Sequence, residues 1–302
     1  MSSFSLLSKQ TWFLFNFVIF SCSVGLFSSF LNAKDIVYLD KDASIYDKRM
    51  LYKLEVLKTS LEKTKADYGD YAIIEKALLA VKKRAVFEVQ SGKNINVMMA
   101  VTTQALEDAL LPIRIPIRRG LLEHRLLVTT KNNVELFSTV NNLQQLKTLT
   151  LGLKKSWAMT DVLKYHGFPI FETNTLDGLF KMLSAGRIKY MPRGINEIYD
   201  EIDSRSATLT NLAVEPRLML SIKSPYYIFV SPRFPKLAKR IEEGLEMMVA
   251  DGTLKQIFNR FHGEKIKKAQ LSKRIMIELT NPNLPKNIPF DRKELWFEFD
   301  NN

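Results

Sequence analysis

From Lys34 onward, short runs of β-branched and aromatic residues alternate with segments whose apolar residues recur every three or four positions. That alternation demands sheets covered by helices, so the expected fold class is α/β. The strand-like runs are IVYL at 36–39, YAII at 71–74, INVMMAV at 95–101, RLLVTT at 125–130, TLTLGL at 148–153, IKYM at 188–191 and YYIFV at 226–230. Between them lie helical stripes. Met50, Leu51, Leu54, Leu57 and Leu61 mark one, and a second ends at Val89. A third runs from Trp157 to His166 and stops at Gly167. Thr175 is placed to cap a fourth, with Asp177 in its first turn and Gly186 at its end. Leu237, Ile241, Leu245 and Met248 stripe another; Asp251-Gly252 breaks it before Leu254, Ile257, Phe258 and Phe261. None of these stripes is apolar all round, so each helix should lie on a sheet.

The first 33 residues are of another kind. Lys9 precedes an apolar run from Trp12 to Leu31, then Asn32-Ala33 and the charged Lys34-Asp35. A basic start, an apolar middle and a small residue at the cut describe a secretory signal peptide ending at Ala33. The run approaches the ~20 residues that span a bilayer, so an uncleaved inner-membrane tether through residues 12–31 is the alternative. Export predicts a periplasmic location. The single cysteine, Cys22, lies in this segment. The remainder has no thiol for catalysis, metal binding or disulfides, and its core must be stable without cross-links.

The chain carries a net charge of +12, and loss of Lys9 leaves 43 basic against 32 acidic residues. The cations are dispersed along amphipathic segments, without an Arg/Lys block interleaved with aromatics, so no nucleic-acid partner is expected. An anionic ligand is compatible with that charge. The three histidines, His124, His166 and His262, have no metal-binding spacing. There is no G-x-G-x-x-G and no G-x-S-x-G, and Gly92-Lys93 lacks the upstream glycine of a phosphate-binding loop. No enzyme activity, catalytic residue, metal or cofactor is expected.

The order of these pieces resembles the type 2 periplasmic binding fold, in particular solute-binding protein family 3, whose best-known members bind polar amino acids. The resemblance is carried by RLLVTTKNNVELFSTVNNLQQLKTLTLGLKKSWAMTDVL, similar to a first crossover into a second lobe. PYYIFVSPRFPKLAKRIEEGLEMMVADGTLKQIFNRFHG is similar to the return strand and closing helix pair. It implies two lobes joined by two crossover hinge segments, with residues 34–127 and 222–265 forming lobe 1. Residues 128–221 form lobe 2 with the crossovers, and 266–302 form a C-terminal tail packed on the body. It implies a ligand held between the lobes, a monomer, and an ABC transporter permease or a membrane sensor as partner. The family's ligand set is incomplete here. No arginine stands near Leu111, where the family pairs the ligand carboxylate. Arg193-Gly194 occupies the place of the aspartate that takes the amino group, and DASIYDKRM replaces the aromatic-Pro-aromatic segment. These departures argue against an ordinary α-amino acid and for another small polar or anionic solute. The alternative is a structural or regulatory interaction protein that keeps the fold without a usable cleft.

Three groups are candidates for ligand contact. Lys154, Lys155, Ser156 and Trp157 form a strand-to-helix junction with lysine charge, a hydroxyl and free backbone N–H groups, or else a plain helix cap with solvated lysines. Arg193 follows a strand end and a proline and suits a planar carboxylate or phosphate, or else pairs with Glu197 or Glu201. In IRIPIRRGL the period-two pattern puts Ile113, Ile115 and Ile117 on one face and Arg114 and Arg118 on the other, toward a cleft or toward solvent. Tyr226 and Tyr227 are expected in hinge packing.

Overall fold

The computed structural model describes residues 34–40, 48–76 and 82–299. The export segment, with the cut after Ala33 and the tether through 12–31, lies outside the described residues. Among the described residues no helix is long and apolar enough to cross a membrane.

In chain order the body comprises β1 (Asp35–Asp40), α1 (Lys48–Lys63), α2 (Lys65–Tyr68), β2 (Tyr71–Lys76), α3 (Lys82–Ser91), β3 (Val97–Val101), α4 (Gln104–Ala109) and β4 (Leu111–Ile113). Next come β5 (His124–Thr130), α5 (Leu143–Leu146), β6 (Leu151–Lys154), α6 (Ala158–Tyr165), β7 (Ile170–Thr173), α7 (Leu176–Ser184), β8 (Met191–Gly194) and α8 (Ile195–Asp203). The chain finishes with β9 (Leu212–Ile222), β10 (Tyr226–Val230), α9 (Pro235–Ala250), α10 (Thr253–Ala269) and β11 (Ile275–Leu279). Among the described residues four small sheets result: β1-β2 parallel; β3-β10-β4 with β10 antiparallel to both neighbours; β11-β9-β5-β8; and β6-β7 parallel. Asn96 splices the first sheet to the second. Its amide donates to the Ile36 carbonyl at 2.7 Å and its side-chain oxygen accepts from the Tyr38 N–H at 2.7 Å.

The α9 stripe is buried as its spacing requires, with Leu237 at 3 % exposure and Ile241, Leu245 and Met248 at zero. The α1 stripe is rotated from the expected one: Tyr52, Val56, Leu57 and Leu61 are buried, whereas Leu51 is 49 % exposed. Tyr52 decides the rotation, because its hydroxyl donates to the Ile117 carbonyl and its ring packs on Phe261. Helices α1 and α9 touch backbone to backbone, and Gly244 makes this possible: a Cβ there would meet the Ser60 carbonyl oxygen at 2.0 Å. Arg240 is fully buried between them, with Asp35 at 2.8 Å and the Gly69 carbonyl at 2.7 Å.

Thr175 caps α7 as expected, accepting from the Gly178 N–H at 3.1 Å. Three strands escape a pattern reading. β7 is short, β11 lies in the proline-punctuated tail, and β9 contains Glu215-Pro216-Arg217. In β9 the pairing with β5 shifts register at this tripeptide. The buried Glu215 carboxylate accepts from the N–H groups of Arg217 at 2.8 Å and Leu218 at 2.5 Å, so a bulge replaces the lost ladder bonds.

The tail is a strap. From α10 it passes through left-handed Gln270 into β11, parallel to β9, and then returns to Arg119 and His124. The Phe297 N–H donates to the Arg119 carbonyl at 2.6 Å, Arg119 donates to the Trp296 carbonyl at 2.9 Å, and Phe299 stacks edge-on against His124 at 4.9 Å.

Candidate functional site

A cleft of about 890 Å³ opens between the β3-β10-β4 sheet and the β6–α6 and β8–α8 junctions, within the usual range for small-molecule sites. Its floor is apolar, built from Met98, Met99, Ala100 and Val101 of β3 with Leu106 and Leu176. Lys154, Lys155, Ser156, Trp157, Arg118 and Arg193 all line it. Arg114 does not. It directly follows β4, and its guanidinium grips Glu107 at 2.7 and 3.1 Å.

The period-two reading of IRIPIRRGL fails after Ile113, where β4 ends. The isoleucines are buried as expected, but the turn that follows also buries Arg118, at 5 % exposure. Its guanidinium lies over the Tyr226 ring at 4.8 Å, and the Tyr226 hydroxyl is fixed by donation to the Met99 carbonyl at 2.9 Å. Arg118 Nε is buried without a hydrogen-bond partner, and no carboxylate among the described residues pairs with this side chain. A buried cation with neither partner is costly unless something else completes it.

Arg193 is the opposite case. It stands within strand β8, not in a loop, at 4 % exposure. Its Nε and Nη2 donate to both Glu201 oxygens at 2.7 and 2.5 Å, and Glu197 lies 3.0 Å from Nη2. The far face of the guanidinium covers the Trp157 ring at 4.3 Å. Two predicted residues thus stack on each other, and the arginine serves as a wall more than as a free donor.

The lysine junction is partly used up as well. The N–H of Lys155 donates to the Thr173 carbonyl and that of Trp157 to the Lys154 carbonyl, both at 2.9 Å. The lysine charges themselves, half-buried for Lys154 and exposed for Lys155, are what the junction offers a ligand.

Sequence reasoning missed Arg49, Lys53, Arg125 and Asn196, and it named Glu197 only as an ion-pair partner for Arg193. Glu197, on the first turn of α8, is the hub. Arg193 and Arg49 approach it at 3.0 Å, Arg125 at 3.7 Å, and its Oε1 accepts from the Gly194 N–H at 3.1 Å. Burial alone would raise this carboxyl, but the charges of Arg193, Arg125 and Arg49 outweigh it and hold its pKa at about 2. Glu201 is raised, burial prevailing over its bonds to Arg193. For Arg193, burial lowers the guanidinium less than Glu197 and Glu201 raise it. Arg125 is pulled down to about 10, mainly by burial, and stays charged at neutral pH. A glycine at the α8 N-cap followed by Glu three residues on was a capping signal in the sequence. Nothing in RLLV marked Arg125, an arginine inside an apolar strand.

No protein-family model matches this sequence, and no curated protein matches it. Solved structures do match in shape. An ancestral arginine-binding protein bound to glutamine superposes with a TM-score of 0.55 at 17 % identity, covering 76 % of this chain and 99 % of that one. The periplasmic binding protein of an arginine transport system from Legionella pneumophila gives 0.54 at 13 % identity over 76 % and 99 % of the two chains. A histidine kinase sensor domain similar to periplasmic binding proteins gives 0.53 at 16 % identity over 76 % and 96 %. These solved structures share the fold seen here, and the chain is a divergent example of the two-lobed type 2 periplasmic binding fold.

Proposed function

We propose that this is an exported solute-binding protein that captures a small anionic or polar ligand in the cleft and presents its closed form to an ABC transporter permease or a membrane sensor. Residues 34–127 with 222–265 make one lobe and 128–221 the other, and residues 1–33 direct export. The observation that carries the reading is Arg118: a buried guanidinium in a cleft wall, without a carboxylate partner among the described residues. Such a group is stable where a ligand anion completes it. Closure follows if the ligand touches both lobes, since it then binds the closed form more tightly and shifts the population. The fold supports both partners, since the similar structures include a transport-system protein and a sensor domain.

A second reading, an interaction protein without a usable cleft, is favoured by Arg193 and Arg114, each committed to a glutamate. A thermal-shift screen of the chain from Lys34 onward separates the two. Amino acids, dicarboxylates, sugar acids and phosphorylated metabolites are the panel. A ligand at about 100 times its Kd adds ~2.7 kcal/mol, which for a body of this size raises Tm by about 5–10 °C. A shift confined to one chemical class supports solute capture. A flat response across the panel refutes it and leaves the interaction reading.

A further inference from the structure

The charges of the cleft say more about the ligand than that it is polar. Among the described residues seven cationic side chains line it and only two carboxylates, Glu197 and Asp161. An α-ammonium needs an acceptor carboxylate that is not already engaged. Glu197 is engaged by three arginines at 3.0, 3.0 and 3.7 Å. Asp161 is exposed to solvent on α6, where an ion pair is worth little. An ammonium placed in this cleft would leave water to meet Arg125, Arg118 and the two lysines instead. Anionic groups, by contrast, have two separate anchorages. Arg118 follows β4, buried against Tyr226 with its Nε unsatisfied. Lys154 ends β6 in another sheet and Lys155 follows it, with no carboxylate of the described residues paired to either. The floor between the sheets, Met98 to Val101, is apolar.

We propose that the cleft is built for an amine-free dianion, two oxyanionic groups joined by a short apolar spacer, with one group on the Arg118 guanidinium and the other at Lys154 and Lys155. The proposal rests on the solute-binding reading and narrows it. Carboxylate and phosphate share this chemistry, and the two sources are separated by the ligands chosen for the test.

Isothermal titration of the chain from Lys34 onward would use three matched pairs: succinate against aspartate, glutarate against glutamate, and 3-phosphoglycerate against O-phosphoserine. The expected result is at least tenfold tighter binding of the amine-free member in the pair that binds, and that pair says whether the second group is carboxylate or phosphate. Arg118→Met should weaken binding of that member by thirtyfold or more, the loss expected when a buried charge pair is truncated. It should leave the ligand-free Tm unchanged or higher, since an uncompensated buried charge is removed. That last readout distinguishes a ligand anchor from a structural arginine, and a ligand-free Tm lowered by more than about 5 °C would overturn the assignment. An amino member that binds as tightly as its partner overturns the amine-free claim and leaves solute capture standing. Silence from all six compounds, with a shift from an amino acid in the wider screen, has the same meaning. Silence in both experiments removes the solute-binding reading, and this proposal with it.

Discussion

Glu197→Gln isolates the electrostatic role of the hub. Glutamine keeps the shape and an oxygen that can accept the Gly194 N–H at the α8 N-terminus, so the change removes the charge and little else. Its magnitude follows from linkage. The carboxyl is held at about 2 against an ordinary 4.5, a displacement worth about 3 kcal/mol at neutral pH. This agrees with the ~3–5 kcal/mol lost when one member of a buried ion pair is removed. The folded-state pKa is depressed, so the contribution is complete above 4.5 and is lost as pH falls through 2. Urea unfolding of the wild-type and variant bodies should therefore show a gap of about 3 kcal/mol at pH 7, shrinking to about 2 kcal/mol at pH 3.5. A gap below 1 kcal/mol at pH 7, or one that widens on acidification, would refute the three-arginine account of this residue.

Two further outcomes follow from packing and burial. Gly244→Ala gains ~1 kcal/mol of helix propensity but forces a methyl onto the Ser60 carbonyl, a backbone atom that cannot step aside. The net should be a loss of about 2 kcal/mol or more, read as a lower urea midpoint at unchanged m-value. His262 packs against Tyr52 and Phe258 with neither ring nitrogen hydrogen-bonded. Burial first, then Arg118 and Lys265, depress its pKa to about 3. Its contribution is intact above pH 6.5 and is lost as pH falls toward 3, by about 2 kcal/mol between pH 6.5 and 5. His262→Phe should be less acid-sensitive than wild type by that amount in melts over this window, and an unchanged pH slope would count against a neutral buried imidazole.

How much of this was readable in advance depends on whether a residue's role is local. The cap at Thr175 and the stripe of α9 are decided within a few residues of sequence, and both stand where the spacing puts them. The lysine junction was legible for the same reason, as a strand end meeting a helix start. Arg118 was found only as half of an alternation, and the alternation was not the reason for its position; a turn after Ile113 buries it. Arg49 and Arg125 could not be found by pattern. One reads as part of a basic helix face and the other as an oddity in a strand, and only the fold brings them to Glu197 across 148 and 72 residues. Arg240 shows the same limit in the core, a cation in a helical stripe that is wholly buried because Asp35 and three backbone carbonyls surround it.

The strap formed by the tail has a practical side. In the proposed lobe assignment strands β5 and β9 are the crossings on which the fold would bend, and the tail is laid against them, with β11 beside β9 and Phe299 on His124. Any rotation of the lobes must therefore carry the tail along or slide it over its contacts. On that reading the tail is a built-in strain gauge: an environment-sensitive dye at Phe299, which is not among the residues lining the cleft, would report bending at the crossings from outside the proposed ligand site.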